Sequence, residues 1–302
     1  MARLRLRGAE KVKEEVMKKR KEKIEKLYKE VAKEIDEKLA YYSKLDTATG
    51  ALRTKQLSDL KKSLEQRLKD VNKEIESGII SDVEEVSGAV QTSTNKWLKE
   101  VKFEYMFANV PDDVVNDVLN GVVYNKKNFL SKRIWNITKK ELNDINKIVA
   151  KGIAENKSTY DIAKDLEKYV NPTAKKKWDW SKVYPGTNRK IDYNAQRLAR
   201  TLVQHAFQKS FERVNEKNPF VKGYIWLSAL AHGRTCEVCR ERNGKFYKKG
   251  ELPLDHPNGL CTWAVELKGD LNSIADDIVK WNESPKGTYP DIDKFAEYLE
   301  KR

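Results

Sequence analysis

The stretch ALRTKQLSDLKKSLEQRLKDVNKEIESGIISDVEEVSGAV, residues 51–90, places Leu57, Leu60, Leu64, Leu68, Val71, Ile75, Ile79, Val83, Val86 and Val90 at steps of three and four. Such steps keep side chains on one face of an α-helix, so the stretch predicts a long helix with a single apolar stripe. Working backwards, Ile24, Tyr28, Val31, Ile35, Leu39 and Tyr42 form a second stripe in a segment from about Glu10 to Ser43 that has no internal Gly or Pro. Lys and Glu fill the other faces of both segments. The join, DTATGALRT, breaks at Gly50. Two stripes joined by a short Gly-containing turn are covered most simply by folding against each other, so an antiparallel hairpin is expected. At 1.5 Å per residue its first arm is about 50 Å long, and Gly78 and Gly88 are places for the second arm to bend.

Composition sets the frame around this hairpin. The 302 residues suffice for two or three domains, and 39% apolar residues build a real core, while 35% charged residues suit long solvated helices. A net charge of +14 points to an acidic partner, most simply nucleic acid. A lysine-rich solvated surface without such a partner is the other reading, because acidic residues are interspersed throughout. No run of about 18 apolar residues occurs, so no membrane partner is expected. The start, MARLRLRGAEKVKEE, lacks the apolar core of a secretory signal. Folding in a reducing cytoplasm follows, which favours thiols or a metal over disulfides.

Beyond the hairpin, Val101 to Tyr124 holds more aromatics, and NVPDDVVNDVL reads as a helix start with Pro111 in its first turn. A helix to about Glu155 follows, then one capped by Ser158 with Asp161 three residues on. The loop NPTAKKKWDWSKVYPGTNRK interleaves Lys175, Lys176, Lys177 and Lys182 with Trp178 and Trp180. Cations beside flat rings suit phosphate contact with base stacking on a single strand, and suit equally a loop packed on its own domain. Ile191 to Asn215 reads as a helix in which His205, with no carboxylate or Cys four residues away, is structural. VKGYIWLSAL reads as a strand, and Asn243-Gly244 between TCEVCRER and KFYKKG as a hairpin turn. GDLNSIADDIVKW and YPDIDKFAEYLEKR close the sequence as two short helices.

One segment concentrates unusual chemistry. Residues 228–263, SALAHGRTCEVCRERNGKFYKKGELPLDHPNGLCTW, hold all three cysteines and two of the three histidines. Cys236 and Cys239 are separated by two residues and are followed by His256 and Cys261. Two thiolates from a CxxC with a later His and Cys complete a tetrahedron, the logic of a structural zinc site. Arg234, Arg240 and Arg242 nearby would favour the thiolates. A Cys236–Cys239 redox pair, a disulfide or three hydrogen-bonded thiols remain alternatives, although no βαβ pattern surrounds the CxxC as a thioredoxin-like site requires.

Taken in order, RLARTLVQHAFQKSF, IWLSALAHGRTCEVCRERNGKF and DHPNGLCTW resemble the phage Mu F-like minor head proteins, the head morphogenesis family of tailed bacteriophages. The parts are an Arg-Thr pair in a helix, a strand with Trp226, Arg-Thr-Cys-x-x-Cys, Gly244 before an aromatic, His-Pro and a closing Cys. The resemblance spans roughly residues 130–265. The family usually ends His-Pro-x-Cys-x-Cys, where this chain has Gly259 for the first Cys, and commonly has Asp where this chain has His232. It implies a minor capsid protein in the virion, made in the host cytoplasm and acting in head assembly, DNA packaging or ejection. Its implied partners are the portal, the major capsid protein and viral DNA.

The expected fold is mainly α: a long helical hairpin over 1–105, a helical domain over 106–218, a small β-rich zinc-site-like module over 219–268 and short terminal helices over 269–302. No enzymatic role is expected, since no Ser-His-Asp order, Walker loop or His-Glu-x-x-His occurs. The alternative is a zinc-containing nuclease or toxin-type enzyme of phage origin. It would need His256 as base with His232 or Asp255 nearby, or the Glu74-Ile75-Glu76 pair of a transferase, which sits on a helix where the side chains diverge.

Overall fold

The computed structural model describes residues 3–42, 50–125, 129–155, 157–173, 191–229 and 235–300. It is mainly helical with one small antiparallel sheet. The helices are α1 (Arg7–Tyr42), α2 (Gly50–Glu100), α3 (Val110–Leu119), α4 (Leu130–Ala154), α5 (Thr159–Val170), α6 (Ile191–Asn215), α7 (Glu237–Arg242), α8 (Leu271–Glu283) and α9 (Pro290–Glu300). The strands are β1 (Arg3–Leu4), β2 (Val221–Leu227), β3 (Phe246–Lys248) and β4 (Thr262–Leu267), in the order β1-β4-β2-β3.

The chain divides into two compact, interleaved units. One comprises Met1–Met17, Ile80–Lys127 and Arg200–Arg302, the other Lys18–Ile79 and Asn128–Ala199. This is a different division from the four consecutive segments expected from sequence. The physical reason is the length of α1, α2 and α6, each of which is cut by the boundary between units.

In the second unit, the two stripes pair as an antiparallel hairpin. The seven stripe residues of α2 from Leu57 to Ile79 are at most 4% exposed, as are Ile24, Tyr28, Val31 and Ile35 of α1, while Val83, Val86 and Val90 are buried in the first unit. Burying each such aliphatic side chain contributes about 1.5–3 kcal/mol. The direction is read from cross-pairs: Lys38 with Ser63 at 2.6 Å, Glu34 with Arg67 at 2.7 Å and Lys23 with Glu74 at 3.3 Å. Numbers fall along one helix as they rise along the other. The side chains of Leu39 and Tyr42 and the joining turn lie outside the described residues.

Gly78, expected as a bend, has a packing role within a continuous helix. Arg20 Nη2 donates to its carbonyl at 2.7 Å, and a Cβ there would lie 1.9 Å from Arg20 Nη1. The helices α4 and α5 add a buried polar cluster that the apolar stripes did not foretell. Glu141 accepts from Tyr28 Oη at 2.6 Å and Asn72 Nδ2 at 2.7 Å, while Asp144 accepts from Tyr169 Oη at 3.0 Å. Burial first, and then the Glu141 charge for Tyr28 and the Asp144 charge for Tyr169, push both phenols well above their ordinary range. Ser158 caps α5 as expected, its Oγ accepting from Asp161 N at 3.1 Å.

In the first unit, Phe207 of α6 stacks on Trp263 of β4, Phe211 meets the same ring at a tilt, and Trp263 meets Trp226 of β2 edge-on at 5.5 Å. Trp226 and Trp263 are register partners. Two sequence expectations change here. TCEVCRER does not form the first arm of a β-hairpin: Cys236 caps α7, and Asn243-Gly244 ends that helix. Asn243 N donates to Cys239 O at 3.1 Å, and Gly244, at φ +77°, turns the chain back so that its N–H reaches Trp226 O at 2.8 Å. The second change is the N-terminus, whose Arg3 and Leu4 pair with Glu266 and Val265 and so complete the sheet.

Candidate metal centre

Four residues predicted as ligands converge in the first unit. Cys236 and Cys239 come from the start of α7, while His256 and Cys261 come from the turn leading into β4. His256 Nε2 lies 3.4 Å from Cys236 Sγ and 3.2 Å from Cys239 Sγ, and Cys239 Sγ lies 3.4 Å from Cys261 Sγ. Neighbouring ligands of a tetrahedral zinc with sulfur and imidazole donors are about 3.5–3.8 Å apart. Cys236, Cys239 and His256 therefore form a triad with the size and donor set of a metal site, and Cys239 meets Cys261 and Asp255 in a second triad that shares its sulfur. No disulfide joins the three thiols.

The imidazole is held for this task. Its Nδ1 is 3.0 Å from Pro257 O, which makes Nδ1 the protonated nitrogen and leaves the Nε2 lone pair facing the sulfurs. Cys239 and Cys261 are buried and Cys236 is exposed. Burial, followed by its two sulfur neighbours, pushes the Cys239 thiol up. The Cys236 thiol is pushed down by the backbone of Cys239 first, with His256 adding to the effect. Arg242 lies over the Trp226 ring, 5.0 Å from its centroid, and Arg234 falls outside the described residues.

Asp255 is the residue whose role here escaped the sequence. It is 2% exposed, and its carboxylate also approaches Cys239 and Cys261. Oδ1 accepts from His256 N at 2.9 Å, and Oδ2 accepts from Gln204 Nε2 at 2.9 Å and Cys261 N at 3.3 Å. The carboxylate thereby ties together the two chain positions that carry His256 and Cys261. A Cβ on residue 259 would lie 2.2 Å from Asp255 Oδ2, so the departure at Gly259 from the resembled pattern has a steric reason: Asp255 fills the space.

The helix α6 supplies the floor. Gln204 Nε2 also reaches Cys261 O at 2.5 Å, Gln208 Oε1 accepts from Asp255 N at 2.9 Å, and His205 Nε2 lies 2.9 Å from Asp255 O. His205, with Tyr124 at its other nitrogen, is structural as expected. Lys13 of α1 donates to Cys261 O at 3.3 Å. Of the remaining predicted site residues, Lys175, Lys176, Lys177, Trp178, Trp180 and Lys182 lie outside the described residues, as does His232. Comparison with protein-family models, with curated proteins and with solved structures finds no match for this chain.

Proposed function

We propose that the chain is a minor structural protein of a tailed-bacteriophage head. In this reading it sits near the portal or inside the capsid, carries one structural zinc and meets packaged or ejected DNA without sequence preference. One observation carries the reading: the separated segments behind the resemblance interlock. Arg200 and Thr201, the Arg-Thr pair of α6, hold the His-Pro-Asn-Gly turn, with Arg200 Nη1 donating to Asn258 Oδ1 at 2.6 Å and Asn258 N donating to Thr201 Oγ1 at 2.9 Å. That turn presents His256 to the CxxC, whose helix ends against Trp226.

Cys236, Cys239, His256 and Cys261 would hold the zinc. When bound, zinc supplies a cross-link between α7 and the turn before β4, and its binding free energy becomes local folding free energy. The chain's own groups prepare the site by fixing the imidazole tautomer and by neutralising backbone donors with Asp255. The same geometry argues against catalysis. Both Asp255 oxygens are engaged in a buried site, and His256 aims its Nε2 at sulfur, which leaves neither poised as a nuclease acid or base. Glu74 pairs with Lys23 at 3.3 Å, and Ile75 between the two glutamates is buried.

Portal or major capsid protein and viral DNA are the partners in this reading. Among the described residues no helix is long and apolar enough to cross a membrane. The test is a reconstruction of the virion and procapsid of the phage that encodes the chain. Density for a few copies at the portal or on the capsid's inner face is expected, and absence from both particles overturns the reading.

A further inference from the structure

The positive charge of this protein is not shared between its units. The ranges Lys18–Ile79 and Asn128–Ala199 contain 33 Lys and Arg against 20 Asp and Glu, net +13, whereas the ranges of the unit with the cysteine cluster contain 27 against 26, net +1. Nonspecific attraction for a polyanion therefore belongs to the hairpin unit. The same unit has a groove of about 690 Å³ between α2 and α4, the size of a pocket for a nucleotide.

At its rim stands Trp135, 59% exposed, with Lys139 Nζ 4.9 Å from its ring centroid. An exposed indole on a helix is costly to leave in water and is the flattest stacking surface a side chain provides. Lys69 and Lys73 line the opposite helix. Among the described residues, Lys69, Lys73 and Lys139 make no ion pair. Asn143 and Asn146 are exposed in the same groove and offer both donors and acceptors to a base edge. The groove also contains Glu65, which Lys61 approaches at 3.9 Å, and Glu76. Two carboxylates beside three unpaired lysines leave the groove cationic.

We infer that this groove is a binding site for single-stranded nucleic acid, in which a base stacks on Trp135 and the flanking phosphates meet Lys69, Lys73 and Lys139. The inference rests on the proposed DNA contact and gives it a place on α2 and α4. An acidic peptide would satisfy the lysines but leave the indole and amide groups without a purpose. A base uses all three kinds of group.

The experiment is a salt titration of a thymidine 20-mer and a duplex of equal length on five proteins: wild type, W135A, W135F, the triple variant K69Q/K73Q/K139Q and the loop variant K175Q/K176Q/K177Q/K182Q. Thermal unfolding serves as the control for folding. Trp135→Ala should weaken single-strand binding about 5- to 100-fold, W135F should recover most of it, and duplex binding should change little. The triple variant should flatten the single-strand salt slope by up to about 2 units. Wild-type binding with all slopes and affinities unchanged in W135A and the triple variant overturns this site and leaves DNA contact standing. No wild-type binding at low salt overturns both. Polyglutamate that binds as tightly as the oligonucleotide and is insensitive to W135A identifies an acidic-peptide groove and also overturns the assignment.

Discussion

The carboxylate of Asp255 occupies the space that a side chain on residue 259 would need, with Oδ2 2.2 Å from an ideal Cβ at Gly259. Because that oxygen already accepts from Gln204 and Cys261, it has nowhere to retreat without breaking a buried bond. Gly259→Ala is therefore expected to destabilise the unit with the cysteine cluster by about 1–3 kcal/mol. Leu260→Ala, at a half-exposed neighbour, should change stability by less than about 0.5 kcal/mol. Denaturant melts of the two variants compare them directly, and equal stability would mean that Asp255 moves freely.

Purified protein should contain close to one zinc per chain. Cys239→Ser removes the sulfur that neighbours both His256 and Cys261, so it should abolish metal content. Amide exchange should then rise most over 222–265 and least over the paired helices between 18 and 79, because the metal's contribution to folding is local. Elemental analysis without metal, together with unchanged exchange in strong chelator, would leave a hydrogen-bonded thiol cluster as the better description.

In the hairpin unit, Tyr28 is fully buried and its hydroxyl donates to Glu141. Tyr28→Phe keeps the ring but takes a donor from a buried carboxylate, which should cost about 1–3 kcal/mol. Asn143→Ala, on the exposed side of the same helix, should be nearly neutral. Urea titrations with an unchanged slope would isolate the effect to stability. A neutral Y28F would show that Glu141 is satisfied without the phenol.

Lys249 supplies a pH dependence. Burial, followed by the neighbouring charges of Lys268 and Lys217, lowers its pKa from the usual 10.5 to about 8. Between about pH 8 and 10.5 the unfolded chain keeps a proton that the folded chain has released, so stability rises with pH across this window. Below the window both states are protonated and the cost of the half-buried ammonium is fully present. Lys249→Met should flatten the rise, read as the difference between wild-type and variant melting temperatures from pH 7 to 10.5. Parallel profiles would place the charged amine in solvent.

Much of the fold is written in local periodicity. The stripe from Leu57 to Val90 commits its ten residues to one buried face, and Ser158 with Asp161 marks a helix start, because both signals depend on neighbours within a turn or two. The CxxC of Cys236 and Cys239 is local in the same sense, and the segment that follows it supplies His256 and Cys261. It limits which donors can meet, and the structure brings those four together.

What the sequence could not express is which distant groups complete each local element. An apolar stripe reports that a face is buried but names no partner, so nothing in Arg3-Leu4 announces its pairing with β4. In sequence Asp255 figures only as a carboxylate beside a histidine that a nuclease would need, and only the approach of α6 with Gln204 makes it a buried acceptor that excludes a side chain at 259. The +14 charge is legible as a total, but its concentration in one unit exists only after α1, α2 and α6 are each cut between two cores. Periodicity and spacing act over a few residues, whereas partner choice, desolvation and charge segregation are properties of pairs far apart in the chain, and tertiary packing alone decides them.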